Sequence, residues 1–205
     1  MARTYDAVAP RWTRWADAVS PPLRKRYVNV LVDRLPPSSR VLEIGCGSGV
    51  SVAAILAHHF HLHGVDISHE IARYAREEVP TGHFEVGDIS EMDFDEASFD
   101  GVVAFYSLVH LPREAQITLF SRIFHWMRPG GHFVASLGTS DIAESVEEDW
   151  LGAGTMYWSS YDAESNRVFL ERAGFAIEQA SVIRQTEPSG DEAAFLWIVA
   201  SKEVD

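Results

Sequence analysis

Apolar residues recur along this chain in two rhythms, one of three to four positions and one of short, nearly continuous runs. Over residues 1–20, Tyr5, Val8, Ala9, Trp12, Trp15 and Val19 form the stripe of an amphipathic helix, which Pro10 is expected to break or offset near its middle. Pro21-Pro22 is expected to end that segment, and Tyr27, Val28, Leu31, Val32 and Leu35 mark one face of a second helix over Arg24–Leu35. Short apolar runs then read as strands at Val41–Ile44, His61–Ile67, Gly82–Gly87, Phe99–Tyr106 and His132–Leu137. Between them lie helical stretches over Val50–Phe60, over Glu70–Glu78 with Ser68 as N-cap and Pro80 as stop, and from Pro112 to Trp126. Strand–helix alternation of this kind predicts parallel pairing through right-handed crossovers. The last two runs, Phe175–Arg184 and Phe195–Lys202, are joined by Glu187-Pro188-Ser189-Gly190-Asp191-Glu192, too short for a crossover helix, so they should form an antiparallel hairpin. The expected fold is α/β: a seven-stranded, mostly parallel sheet with one antiparallel strand near its edge and helices on both faces.

Composition narrows the functions open to this fold. With 205 residues the chain suits one well-buried domain. A formal net charge of −13 argues against a nucleic-acid backbone as partner and favours small-molecule or protein substrates. No apolar run reaches the roughly 18–20 residues of a membrane span, and no signal-peptide pattern opens the chain. The one cysteine, Cys46, permits no internal disulfide and suits a reducing compartment. A cytoplasmic protein without a membrane or nucleic-acid partner is expected.

Candidate chemistry concentrates at the ends of consecutive strands. Val41-Leu42-Glu43-Ile44 runs directly into glycines at 45, 47 and 49, the strand–turn–helix arrangement that brings a ligand against bare backbone N–H groups. The spacing is GxGxG, unlike the GxGxxG of dinucleotide binders. Asp66 ends the next strand, about 20 residues on, where a carboxylate can accept hydrogen bonds from ribose hydroxyls. Asp88-Ile89 follows the third strand, placed for a base edge. His58, His59, His61 and His63 straddle a helix end and a strand and do not share a face as paired metal ligands would, so no metal is expected.

These stretches, VLEIGCGSG (41–49), GVDIS (64–68), GDISEMDFDEASFDGVVAFYSLVHLP (87–112), WMRPGGHF (126–133) and LERAGF (170–175), resemble the class I S-adenosylmethionine-dependent methyltransferases of small-molecule type, over about residues 38 to 178. The resemblance implies a Rossmann-like sheet and S-adenosylmethionine as cofactor, with S-adenosylhomocysteine as product. It implies that Glu43, Gly45, Cys46 and Gly47 line the methionine and ribose side and that Asp66 holds the ribose hydroxyls, with Ile67 against adenine. Asp88 and Ile89 would take the adenine edge, and Phe105, Tyr106 and Ser107 would contact the methionine through the main chain. Tyr5 would fold over the cofactor. Residues 1–37 are then a helical lid or cap of the same domain, and 38–205 the domain proper, with a substrate-side insertion at about 139–161.

Methyl transfer from a sulfonium needs alignment in a dry site, and a base only when the nucleophile carries a proton. His110, just past the fourth strand, is the candidate base, with packing beside the cofactor as its alternative role. Trp12, His110, Trp150, Tyr157 and Trp158 are candidates for the acceptor pocket. Glu144, Glu147, Glu148 and Asp149 of the insertion read either as part of that pocket or as a solvated helix face. The expected activity is methylation of an oxygen or nitrogen of a small organic metabolite. A protein side-chain methyltransferase and an inactive cofactor-binding subunit are the alternatives, and a monomer or homodimer fits equally.

Overall fold

Val41, Leu42 and Ile44 are fully buried, so the first strand must be covered on both sides and belongs at the centre of a sheet. The computed structural model describes residues 1–19, 21–187 and 190–204. Along the chain come α1 (Ala2–Ala18), α2 (Pro21–Arg34), β1 (Arg40–Ile44), α3 (Ala53–His59), β2 (His61–Asp66), α4 (His69–Glu78), β3 (His83–Val86) and β4 (Phe99–Ala104). There follow α5 (Arg113–Trp126), β5 (Met127–Leu137), β6 (Ile142–Glu147), β7 (Met156–Ser160), α6 (Ala163–Arg172), β8 (Ala176–Thr186) and β9 (Glu192–Ser201). The main sheet has seven strands in the order β3-β2-β1-β4-β5-β9-β8. β1 to β5 pair in parallel, and β9 runs antiparallel to both β5 and β8.

The two faces of the sheet bury separate cores. On one side Leu42, Ile44 and Phe99 pack with Phe120, Ile123 and Trp126 of α5 and Leu170 of α6. On the other, Val41, Val103 and Trp197 pack with Tyr27, Val28 and Leu31 of α2 and with Leu56 of α3. Tyr27 stacks on Trp197 at 4.6 Å between ring centres, which fixes α2 to the antiparallel part of the sheet. Ser68 caps α4 as expected, accepting from the Ile71 amide at 3.1 Å.

Three local expectations are corrected. α1 is not broken at Pro10: the helix runs unbroken from Ala2 to Ala18, because burial of Val8, Ala9 and Ala16 holds it while Pro10 itself faces out. The first helix ends before Pro21 as expected, but the second begins at Pro21 and not at Arg24, because a missing N–H costs nothing in the first helical turn. The acids of the insertion lie on no helix. β6 and β7 form a separate antiparallel hairpin, and every residue of β6 is exposed. The hairpin expected at the end of the chain is present as β8–β9, although Pro188 and Ser189 of its connection lie outside the described residues. Among the described residues no helix is long and apolar enough to cross a membrane.

Pro10 lies mid-helix on the exposed side, so Pro10→Ala should restore a backbone hydrogen bond and raise the urea midpoint, worth about 1–3 kcal/mol. An unchanged or lower midpoint would show that the fixed φ of proline contributes as much to α1 as the hydrogen bond it removes.

Candidate cofactor and acceptor site

Strand order reverses between β1 and β4, so the loops leaving their carboxyl ends diverge and open a crevice, the ligand-binding position of open α/β sheets. That crevice is a cleft of about 560 Å³, within the range of small-molecule sites. Its floor is the glycine turn. Gly45 has φ +71°, and a Cβ there would lie 2.4 Å from the Ser107 Cβ, so the loops after β1 and β4 meet with no room for a side chain. The Gly45 and Cys46 amides donate to the Val65 carbonyl at 2.8 and 3.0 Å, fastening the turn to β2. Tyr106, opposite, is a non-glycine residue at φ +57°, held there by its amide bond to Ser136 Oγ at 2.8 Å and by its hydroxyl bond to Gln185 Oε1 at 2.9 Å.

Two buried carboxylates face this cleft. Asp66 accepts from the Gly47 amide at 3.2 Å and the Ser68 amide at 3.0 Å, yet burial outweighs those bonds and raises its pKa to about 6. Glu43 is 4% exposed and its Oε2 has no hydrogen-bond partner. Burial pushes its pKa well up, against the pull of Arg24 and with a further push from Asp66. An orphaned buried carboxylate oxygen in an otherwise satisfied turn fits a ligand bringing donors and positive charge, as an ammonium and a sulfonium do. Asp88 also lines the cleft, with Oδ1 engaged in a turn to the Ser90 amide and hydroxyl at 2.9 and 2.7 Å. Burial and the neighbouring Asp66 and Glu43 raise the Cys46 thiol well above its ordinary value, which leaves it an inert, small side chain.

α1 roofs the cleft and is fastened at three points. Asp6 Oδ1 accepts from Ser68 Oγ at 2.6 Å and from the Glu70 amide at 3.1 Å, so it caps the N-terminus of α4 from another element. Thr4 Oγ1 donates to the Thr155 carbonyl at 2.9 Å, joining α1 to the segment before β7. Between them the Tyr5 hydroxyl meets His110 Nε2 at 2.9 Å. His110 Nδ1 lies 2.9 Å from the Tyr157 carbonyl, which only accepts, so Nδ1 carries the proton and Nε2 is the unprotonated nitrogen that accepts from Tyr5. Burial lowers the His110 pKa and raises that of Tyr5, so both are neutral near pH 7.

The sequence-expected residues converge with one exception. Tyr5, Glu43, Gly45, Cys46, Gly47, Asp66, Ile67, Asp88, Ile89, Phe105, Tyr106 and Ser107 all line the cleft, as do Trp12, His110, Trp150 and Trp158. Tyr157 does not: on β7, side chains alternate, and with Trp158 turned inward the Tyr157 side chain leaves the cleft while its carbonyl serves His110. Tyr5 packs edge-on against both Trp12 and Trp150 at 5.4 Å, closing an aromatic wall. Of the insertion acids, Glu147 lines the cleft, and Trp15, Glu187 and Phe195 line it without having been singled out for it. The role of Asp6 was likewise not anticipated; its one signal was its place beside Tyr5.

A family model described as "Methyltransferase domain" matches residues 41–131. Phosphoethanolamine N-methyltransferase of Plasmodium falciparum is 32% identical over 120 residues, 57% of this chain and 44% of that protein. The chain spans about half the length of the curated relatives it matches. Among solved structures, a Burkholderia thailandensis 1,6-didemethyltoxoflavin-N1-methyltransferase, with 1,6-didemethyltoxoflavin and S-adenosylhomocysteine bound, superposes with a TM-score of 0.68 at 24% identity, covering 93% of this chain and 81% of that one. The [4+2]-cyclase SpnF superposes with a TM-score of 0.74 at 16% identity, covering 100% and 96%. The fold is therefore shared with proteins named for different reactions, and the site residues have to carry the functional argument.

The carboxylates give a pH signature. A cationic ligand such as S-adenosylmethionine favours their ionised forms, so its binding should release protons and weaken as pH falls through about 6, the Asp66 value. Without ligand the linkage runs the other way: protonated Asp66 favours the fold below its ordinary 3.8, and that contribution is lost as pH rises through about 6. Calorimetry in buffers of different ionisation enthalpy reads the proton release directly. A buffer-independent enthalpy would mean that both carboxylates are already ionised.

Proposed function

Because the chain belongs to the class I S-adenosylmethionine-dependent methyltransferases, we propose that it transfers a methyl group to an oxygen or nitrogen of a small organic molecule with aromatic or hydrophobic character. One observation carries the reading. A single roofed cleft holds buried carboxylates suited to a cationic donor and an imidazole whose unprotonated Nε2 is already engaged as a hydrogen-bond acceptor. When bound, S-adenosylmethionine supplies a methyl group already activated by its sulfonium.

The chain's residues do the rest. Glu43 and Asp66 would complement the donor's charge and hydroxyls, Asp88 and Ile89 would take the adenine edge, and the main chain at Phe105–Ser107 would hold the methionine end; all of them line the cleft. α1 and the aromatic wall of Trp12, Trp150 and Trp158 exclude water, which strengthens every charge interaction inside. An acceptor hydroxyl or protonated amine gives its proton to His110 Nε2. The Tyr5 hydroxyl occupies that lone pair, so the acceptor either displaces it or passes the proton through it. The Tyr157 carbonyl stabilises the imidazolium through Nδ1–H. A cleft roofed by a helix supports a small acceptor over a protein side chain, which needs an open groove. The relatives named as N-methyltransferases of small molecules support the same class.

His110→Ala should lower kcat by roughly 10²–10⁴-fold while the dissociation constant of the cofactor changes little. In the parent protein, kcat at saturating cofactor should fall off on the acid side with a pKa below the ordinary histidine value of 6.5, and that limb should vanish in the variant. Equal losses in turnover and cofactor affinity would make His110 a packing residue.

A further inference from the structure

β3 is a four-residue strand at the edge of the main sheet, and its side chains meet those of β2 outside the cleft. The parallel register sets His63 of β2 beside His83 of β3 and Val65 beside Glu85, so His63, His83 and Glu85 share one face. One ligand atom from each lies within 4.8 Å of the other two, and among the described residues no other group of three histidine, cysteine or acidic side chains comes together in this way. We propose that His63, His83 and Glu85 form a binding site for a divalent transition ion of the zinc type, clipping the edge strand to its neighbour.

The donor set is the first argument. Two imidazoles and a carboxylate are a recurrent ligand set for Zn²⁺, with a fourth position left to water. Spacing is the second. Metal–ligand bonds of about 2.0–2.2 Å in tetrahedral geometry set ligand atoms about 3.3 Å apart, and His63 Nε2 lies 3.2 Å from Glu85 Oε2. His83 is exposed, and its ring centre lies 4.7 Å from that of His63, with the three ligand atoms within 4.8 Å of one another.

Preorganisation is the third argument. The His63 ring sits edge-on to Phe94 at 5.4 Å and Phe99 at 6.1 Å and against His83 at 4.7 Å, so its orientation is set by packing, not by solvent. Its side chain is 20% exposed against 48% for Glu85, giving a fixed inner ligand and accessible outer ones through which an ion can enter. Arg40 is the opposing charge, and its guanidinium lies over the Phe99 ring at 5.6 Å. Such an ion would hold the strand that leads to Asp88, and so would stiffen one side of the nucleotide end of the cleft from outside it. The sequence placed metal chemistry, if anywhere, among His58–His63, and set it aside. The pair that matters joins residues 20 apart, which only the β2–β3 register reveals.

The test is calorimetric titration of ZnCl₂ into the full chain, with His83→Ala, Glu85→Gln and a His58→Ala/His59→Ala control. The expected result is one equivalent bound at micromolar concentration and a rise in Tm with Zn²⁺. Affinity should fall by about tenfold or more in each of the two ligand variants and stay unchanged in the control. Co²⁺ in place of Zn²⁺ should give the visible absorption of a four-coordinate site in the parent chain and not in His83→Ala. His83 and Glu85 are exposed, and S-adenosylhomocysteine binding by each variant reports that it is folded. Equal Zn²⁺ affinity in parent and ligand variants, or no binding by the parent below millimolar Zn²⁺, would overturn the proposal.

Discussion

The structure depends on one close approach, that of Gly45 to Ser107. Where strand order reverses, two neighbouring parallel strands send their loops apart, and the crevice between them is only as well formed as the contact at its root. Here that contact leaves no room for a Cβ on residue 45. Ser107 also donates its hydroxyl to the Ile44 carbonyl at 2.8 Å, locking the end of β1 to the end of β4. Everything that lines the donor side of the cleft hangs from this joint: Glu43 two residues before it, the amides of the turn, and the strained Tyr106.

The cost of such a site is visible in its acids. Burying two carboxylates in one cleft is unfavourable unless something else neutralises them, and the protein leaves them incompletely matched. Glu43 keeps an oxygen without a partner, and Asp66 is held by amides that do not offset its burial. Local instability of this kind is a usual mark of a binding site, since the mismatch is removed when a ligand of opposite charge arrives.

Much of this was legible in the sequence because the information was local. A strand ending in glycines, and two later strands ending in aspartate, fix Gly45, Asp66 and Asp88 at one edge of a parallel sheet without any long-range contact being known. The β8–β9 reversal was legible for a similar reason, as the link is too short for any other connection. What stayed hidden depended on register or on partners distant in the chain. Tyr157 and Trp158 are adjacent aromatics, and only the pairing of β7 with β6 decides which one turns inward. Asp6 caps a helix that begins 63 residues later. His63 and His83 meet only through strand pairing. The unbroken α1 was misjudged because tertiary burial outweighs the helix-breaking tendency of one exposed proline.

The hydrogen bond that orients His110 has a different kind of consequence. Its acceptor is the main-chain carbonyl of residue 157, not a carboxylate or an amide side chain. A carbonyl is supplied by any amino acid, so the tautomer of the imidazole is independent of which residue occupies that position. The exposed β6 strand of the β6–β7 hairpin can therefore diverge in its side chains without altering which nitrogen of His110 is unprotonated, whereas β7 is held by buried Met156, Ser159 and Ser160. Under the proposed function, acceptor choice and proton handling would be written in separate parts of the same hairpin, one in its side chains and one in its backbone. Under that proposal, exchanging the exposed β6 side chains is a route to new acceptors that leaves the tautomer of His110 in place.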